Sequence, residues 1–325
     1  MLAASNRRAD AQSCIGRLKA SRIHSPVSQP DREGKNMSST RAVVDNEENY
    51  IDVGQNHRLY FRDYPGAQGA TPIICLPGFW RNARDFEGLA LHLSPTRRVV
   101  TPDMRGRGNS TRASDPSEYR FETLIDDVWK LADHLHMDKL VVVGTALGAF
   151  MAIQMAHDCP NRVAGIVLND AGTETTPPGS KRLGGTVDHL ERPLDVLATT
   201  LKEINSKYFP EFDDEDWRWF AKLSHRETAS GQYVRDFDPL TSEETKRFRA
   251  DKPSLWNEFE GLNIPIAVLR GALSDFLPQD LGERMAAANA KATLTVVEGR
   301  GHPLLLTEPA SLAAIEKLLA KVDLR

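Results

Sequence analysis

The residues that could carry chemistry lie where a parallel sheet would gather them. Val141–Val142–Val143 runs into Gly144–Thr145–Ala146–Leu147–Gly148, a β-branched strand that stops at a glycine and turns sharply. Apolar residues at helical spacing follow from Leu147. Two glycines four apart around one tip residue are the pattern that holds a nucleophile in strained backbone geometry with its side chain projecting. The tip here is Ala146, whose methyl group cannot attack anything. Asp275 follows one later apolar run and His302 the next, a carboxylate and an imidazole able to move a proton. Asn169 and Asp170 end the apolar run just after the elbow helix.

The surrounding elements explain how these residues could meet. Short apolar runs at Ile73–Leu76, Val99–Thr101, Leu140–Val143, Val163–Leu168, Ile264–Leu269 and Thr293–Val297 alternate with helical segments, which implies a parallel sheet covered on both faces. Asn49–Val53 and His57–Phe61, joined at Gly54–Gln55–Asn56, read as an antiparallel hairpin opening the sheet. Helices are expected over Ala83–Leu93, along the stripe Leu124, Val128, Leu131 and Leu135, from the elbow to about His157, and through Leu312, Ile315, Leu318, Leu319 and Val322. The expected architecture is therefore α/β, a mostly parallel eight-stranded sheet flanked by helices. In such a sheet the loops at the carboxyl ends of the strands converge on one crevice.

Composition changes twice. Residues 1–40 are rich in Ser and Arg, show no apolar period and are expected to be a disordered N-terminal extension. Residues 173–257, with Pro177–Pro178, several helical pieces and three of the chain's five tryptophans, read as an inserted helical lid between core segments 41–172 and 258–325.

Bulk properties narrow the class of function. The chain of 325 residues is 40% hydrophobic and 26% charged, with net charge −4, which gives no electrostatic reason to expect nucleic acid or an anionic membrane as partner. No apolar run reaches the length of a membrane span, and the N-terminus has no apolar stretch of the secretory kind, so a cytoplasmic location is expected. Cys75 and Cys159 read as small packing residues, and the three cysteines have no metal-ligand spacing.

Five stretches in order carry a resemblance: Leu76–Pro77–Gly78–Phe79, Asp103–Ser110, the Gly144–Gly148 elbow, Arg270–Asp275 and Gly299–Pro303. With them, the chain resembles a lid-bearing serine hydrolase of the α/β-hydrolase fold over residues 48–325, and the order of tip, Asp and His matches that family. The resemblance implies serine at the tip, so that Ala146 replaces the nucleophile. It makes His302 the general base and Asp275 the group that orients it, with Asp170 as the alternative acid one strand earlier. It gives the backbone N–H groups of Phe79 and Leu147 the oxyanion hole. Pro77 stands where many relatives have His.

The implied reaction is hydrolysis of a carboxylic ester or lactone through an acyl-enzyme. The alternatives are carbon–carbon bond hydrolysis on the same fold, or ligand binding without turnover. No cofactor or metal is called for, the expected partner is a small, partly apolar substrate, and oligomeric state is not readable. Trp80, Trp217 and Trp219 are candidate walls of its pocket. The glycine-flanked Arg105 and Arg107 lack the lysine of a phosphate loop and read as a rigid turn bracing the elbow. His134 and His136, two apart on a helix, face different sides and are no metal pair, and the acidic run Glu211–Asp216 reads as a solvated face.

Overall fold

The computed structural model describes residues 49–54, 56–174, 182, 188–251 and 254–324. The proposed N-terminal extension and Gln55 of the expected hairpin lie outside them.

Eight strands form one sheet: β1 (Tyr50–Gly54), β2 (His57–Tyr64), β3 (Ile73–Leu76), β4 (Val99–Pro102), β5 (Leu140–Thr145), β6 (Val163–Asn169), and, after a long intervening segment, Ile266–Gly271 and Ala292–Val297. The last two are β9 and β10 in chain order, because the intervening segment contributes β7 (His225–Glu227) and β8 (Tyr233–Arg235). The sheet order is β1-β2-β4-β3-β5-β6-β9-β10. β2 pairs antiparallel with β1 and β4, and every pairing from β4 to β10 is parallel. β9 begins at Ile266 rather than Ile264. Pro265 has no N–H to give the ladder, and its carbonyl accepts from Ile166 N at 3.1 Å instead.

Strand alternation fills both faces. Ile73, Cys75, Val141, Val143, Val167, Ala267 and Leu269 point to one side. There they pack with Leu89 and Leu93 of α1 (Glu87–Leu93) and Ile315, Leu318 and Leu319 of the helix Pro309–Asp323. The expected helix at Ala83 starts as a 3-10 turn, Ala83–Phe86, capped by the Asn82 side chain. Ile74, Leu76 and Val142 face the other way and are as fully buried. On that side α3 (Leu147–Asp158) packs on β3, β5 and β6, and α2 (Phe121–His134) packs on β1 and α3.

Between β6 and β9 the described chain forms α4 (Leu194–Asn205), α5 (Asp214–Ser224), the antiparallel ribbon β7–β8, α6 (Thr241–Asp251) and α7 (Trp256–Glu260). The segment is thus not wholly helical. Leu197, Leu201, Phe209, Trp217, Phe220 and Leu223 give it a core of its own. Backbone bonds tie it down where the site forms. Gly108 N donates to Asp236 O and Asp238 N to Gly106 O, while Gly301 N donates to Tyr208 O at 2.7 Å. The acidic run has specific partners: Asp213 caps α5 by accepting from Glu215 N and Asp216 N, Asp214 pairs with Lys202, and Glu211 pairs with Arg300.

Candidate active site

The elbow is built by close approach. A methyl at Gly144 would stand 2.2 Å from Gly148 O, and one at Gly148 would stand 2.0 Å from Leu76 O, so neither position accepts a side chain. The squeeze throws Ala146 into left-handed backbone, φ 48° and ψ −108°, immediately before α3 begins at Leu147. Leu147 N is the first amide of that helix, out of reach of any intrahelical carbonyl. Gly78 lies against the tip, where a methyl would come 3.7 Å from Ala146 Cβ. Phe79, after β3, and Leu147, after β5, therefore flank Ala146 from adjacent strands.

His302 is 4% exposed and enters from the loop after β10. Its Nδ1 lies 2.9 Å from Asp170 Oδ2 and 3.2 Å from Asp170 O. An ionised carboxylate only accepts, so Nδ1 carries the proton and Nε2 is left as the acceptor. The Asp170 carboxylate, 0% exposed, also takes Gly271 N at 2.9 Å on Oδ1 and Ser274 Oγ at 2.6 Å on Oδ2. The ring stacks on Phe276 with centroids 4.0 Å apart. Asn169 Nδ2 donates to Thr145 Oγ1 and Leu304 O, fastening the base of the elbow to the histidine loop.

Of the two candidate carboxylates, the structure brings the alternative one to the histidine. Asp170, not Asp275, faces the imidazole Nδ1. Asp275 turns toward the intervening segment, where Arg182 grips it through Nε at 2.8 Å and Nη2 at 2.9 Å, and Tyr208 OH donates at 2.7 Å. β6 and β9 are neighbours, so the loops after both reach the same place. Burial alone would raise the Asp275 carboxyl, but the Arg182 and Tyr208 hydrogen bonds outweigh it and hold it below the usual carboxylate range.

The cavity beside the tip is walled by residues other than the expected tryptophans. A cavity of about 110 Å³ abuts both residues that flank the tip. Phe79, Tyr119, Phe121, Leu147, Thr245 and Phe248 contribute to its walls, with Arg107 among them. None of the three tryptophans lines it. Trp80 stacks on Phe237, Trp217 is buried in the core of the intervening segment, and Trp219 is 45% exposed. Phe248 is the main residue that sequence reasoning missed. It reaches from α6 to touch Phe79, Phe121 and Phe150, and its one signal was to be a lone aromatic in the charged stretch Thr241–Asp251.

Arg105 does brace the turn: it is bound twice by Asp127, at 2.9 Å each, with both residues buried. Asp103 is equally structural, accepting from Ala83 N and Asn109 N, and burial pushes its carboxyl up to about 6. Among the described residues no group of three or more His, Cys, Asp or Glu is disposed to hold a metal ion, and no helix is long and apolar enough to cross a membrane.

A family model described as alpha/beta hydrolase fold matches residues 71–309, a span that runs from β3 through His302. The chain belongs to the α/β-hydrolase fold family. A crystal structure of an α/β hydrolase from Novosphingobium aromaticivorans is similar with 34% identity and a TM-score of 0.77, over 84% of this chain and 97% of that one. Among curated relatives, the 3-hydroxybutyrate-oligomer hydrolase of Cupriavidus necator is 27% identical over 271 residues, covering 79% of this chain and 91% of its own. An esterase of Mycobacterium tuberculosis is 26% identical over 266 residues, covering 76% and 82%. As an α/β hydrolase, the chain has hydrolases and esterases as its relatives.

Proposed function

We propose that the parent form of this protein hydrolyses carboxylic esters through an acyl-enzyme, with serine at position 146, and that the chain with Ala146 binds substrate without turning it over. The observation that carries this reading is the buried His302–Asp170 pair, held ready at the strand ends beside an elbow whose tip has no nucleophile. A pure binding protein would have no use for an imidazole held in that tautomer.

With serine at 146, Nε2 of His302 takes the hydroxyl proton as Oγ attacks the ester carbonyl. The negative charge that develops on the carbonyl oxygen is met by the N–H groups of Phe79 and Leu147, each such donor being worth on the order of 3 kcal/mol of barrier. Collapse of the tetrahedral intermediate expels the alcohol, which receives the proton from His302. Water, deprotonated by the same nitrogen, then releases the acid. Asp170 stabilises the imidazolium at each stage without itself taking the proton. The intervening segment is a lid in this reading, and Phe248 with Phe79 and Phe121 gives the acyl side its apolar wall. Names of the relatives support an ester, and one of them acts on oligomers of a short hydroxy acid.

The experiment is hydrolysis of a panel of aryl esters and lactones by the Ala146 chain, by Ala146→Ser and by Ala146→Ser with His302→Ala. Activity confined to the single revertant supports the reading. A folded, inactive revertant overturns it.

A further inference from the structure

Arg107 is a buried guanidinium without an ion pair among the described residues, and it stands over the Tyr119 ring with its Cζ 5.8 Å from the ring centroid. It is 2% exposed, and its Nε donates to Phe79 O at 3.0 Å and its Nη1 to Arg105 O at 2.7 Å, both of them neutral carbonyls. Nη2 has no hydrogen-bond partner among the described residues, and no described carboxylate lies within ion-pair distance. Asp238, the nearest acidic influence, is already engaged by Tyr119 OH at 2.6 Å and by Leu240 N at 3.0 Å. By contrast the adjacent Arg105, just as buried, has Asp127. A buried cation relieved only by an aromatic face and by a carboxylate beyond ion-pair distance is costly to fold, and an anionic ligand would supply the missing partner.

Position says which ligand. Arg107 lines the cavity that abuts Phe79 and Leu147, and it is the one buried charge among the lining residues. The other charged groups there, Arg120, Glu122, Arg247 and Asp251, are exposed, and Glu244 is half-buried. Around Arg107 the walls are Tyr119, Phe121, Leu124 and Phe248. A slot with aromatic side chains in its walls and one buried cation, beside the oxyanion donors, suits a short hydrocarbon chain ending in a negative group.

We propose that this cavity is the acyl subsite and that Arg107 binds a carboxylate carried on the acyl part of the substrate, making the preferred substrates monoesters of short dicarboxylic acids or esters of comparable anionic acids. This rests on the ester-hydrolase reading for the direction of the acyl chain, but the site itself is tested without turnover. Since the planar guanidinium can give a carboxylate charge-assisted hydrogen bonds, the preference for the anion is expected to be about tenfold or more.

The test measures binding to the Ala146 protein by calorimetry at low salt and pH 7, with monoethyl glutarate against its uncharged counterpart ethyl valerate. The anionic ester is expected to bind about tenfold tighter or better, Arg107→Met to erase that difference while leaving ethyl valerate within about threefold, and Arg107→Lys to reduce it several-fold. Equal affinities in the unmodified protein, or no binding of either ester, overturn the proposal. So does an Arg107→Met variant that weakens both ligands alike, since Arg107 would then only brace the Phe79 loop. If Arg107→Met does not fold, Arg107→Lys decides: an undiminished preference overturns the assignment. A revertant at 146 that hydrolyses no ester would overturn the hydrolase reading and leave this preference standing.

Discussion

Tyr208 holds two loops of the sheet with one residue. Its phenol donates to Asp275 Oδ2 at 2.7 Å, after β9, and its carbonyl accepts Gly301 N, next to His302 after β10. Asp275 is thereby an anchor for the intervening segment, joined also by Arg182, which passes the tie on to Asn205 Oδ1 at 2.7 Å. Tyr208→Phe should cost about 1 kcal/mol by denaturant unfolding, the net worth of one partly exposed bond to a charged group. The anchor is also pH-dependent. Asp275 is held below its ordinary 3.8, so the stability it lends is fully present above that value and is lost as pH falls through the folded-state value. Removing the phenol should shrink that acid loss, and an unchanged acid profile would assign the effect to other carboxylates.

His225 adds a second acid sensitivity with a different origin. Burial first, then the nearby cations Arg235 and Arg81, depress its imidazole from 6.5 to about 3, and Nδ1 faces Ala221 O at 3.0 Å. The unfolded chain takes up a proton near 6.5 while the folded chain does not, so stability falls as pH drops from there toward 3. By pH 4 the loss is on the order of 3 kcal/mol. His225→Gln should flatten the stability profile between pH 6.5 and 4, whatever its effect at neutral pH. An equally steep profile in the variant would remove His225 from the account.

Much of this was legible from residue order alone. Gly144 and Gly148 announce the elbow because an added methyl would stand 2.2 and 2.0 Å from a backbone oxygen and leaves no choice of residue, and the buried strands announce themselves as runs of β-branched residues. Which carboxylate meets His302 was not legible. Asp170 and Asp275 both follow parallel strands, and those strands are adjacent, with Asn169 in register with Leu269. What separates them is Arg182, supplied from a segment whose path local pattern does not set. The tryptophans carried more information than expected. Trp217 and Trp219 stand two apart on α5, so one had to face in and the other out, and they are 1% and 45% exposed.

The Arg105–Asp127 pair predicts a purely structural defect. Both side chains are buried and doubly bonded, and burial, the largest influence on Asp127, raises its carboxyl despite Arg105. Truncating one partner strands a charge. Arg105→Met is therefore expected to lose about 3–5 kcal/mol in thermal or chemical unfolding. Arg105→Met combined with Asp127→Leu should recover a large part of it. If the double variant is no better than the single one, the pair is valued for packing rather than for charge compensation.

The choice of acid gives the sharpest kinetic prediction. In the Ala146→Ser background, Asp170→Asn keeps the size of the side chain but can present an amide N–H to His302 Nδ1 and so favour the wrong tautomer. A loss in kcat of about 10⁴ is expected by analogy with the same change in a serine protease triad. Asp275→Asn, whose partners are Arg182 and Tyr208, should leave kcat within about tenfold and act mainly on stability, as an anchor would. A large kcat loss in Asp275→Asn with a small one in Asp170→Asn would reverse the assignment and mean that the intervening segment rearranges during turnover to bring Asp275 onto the ring.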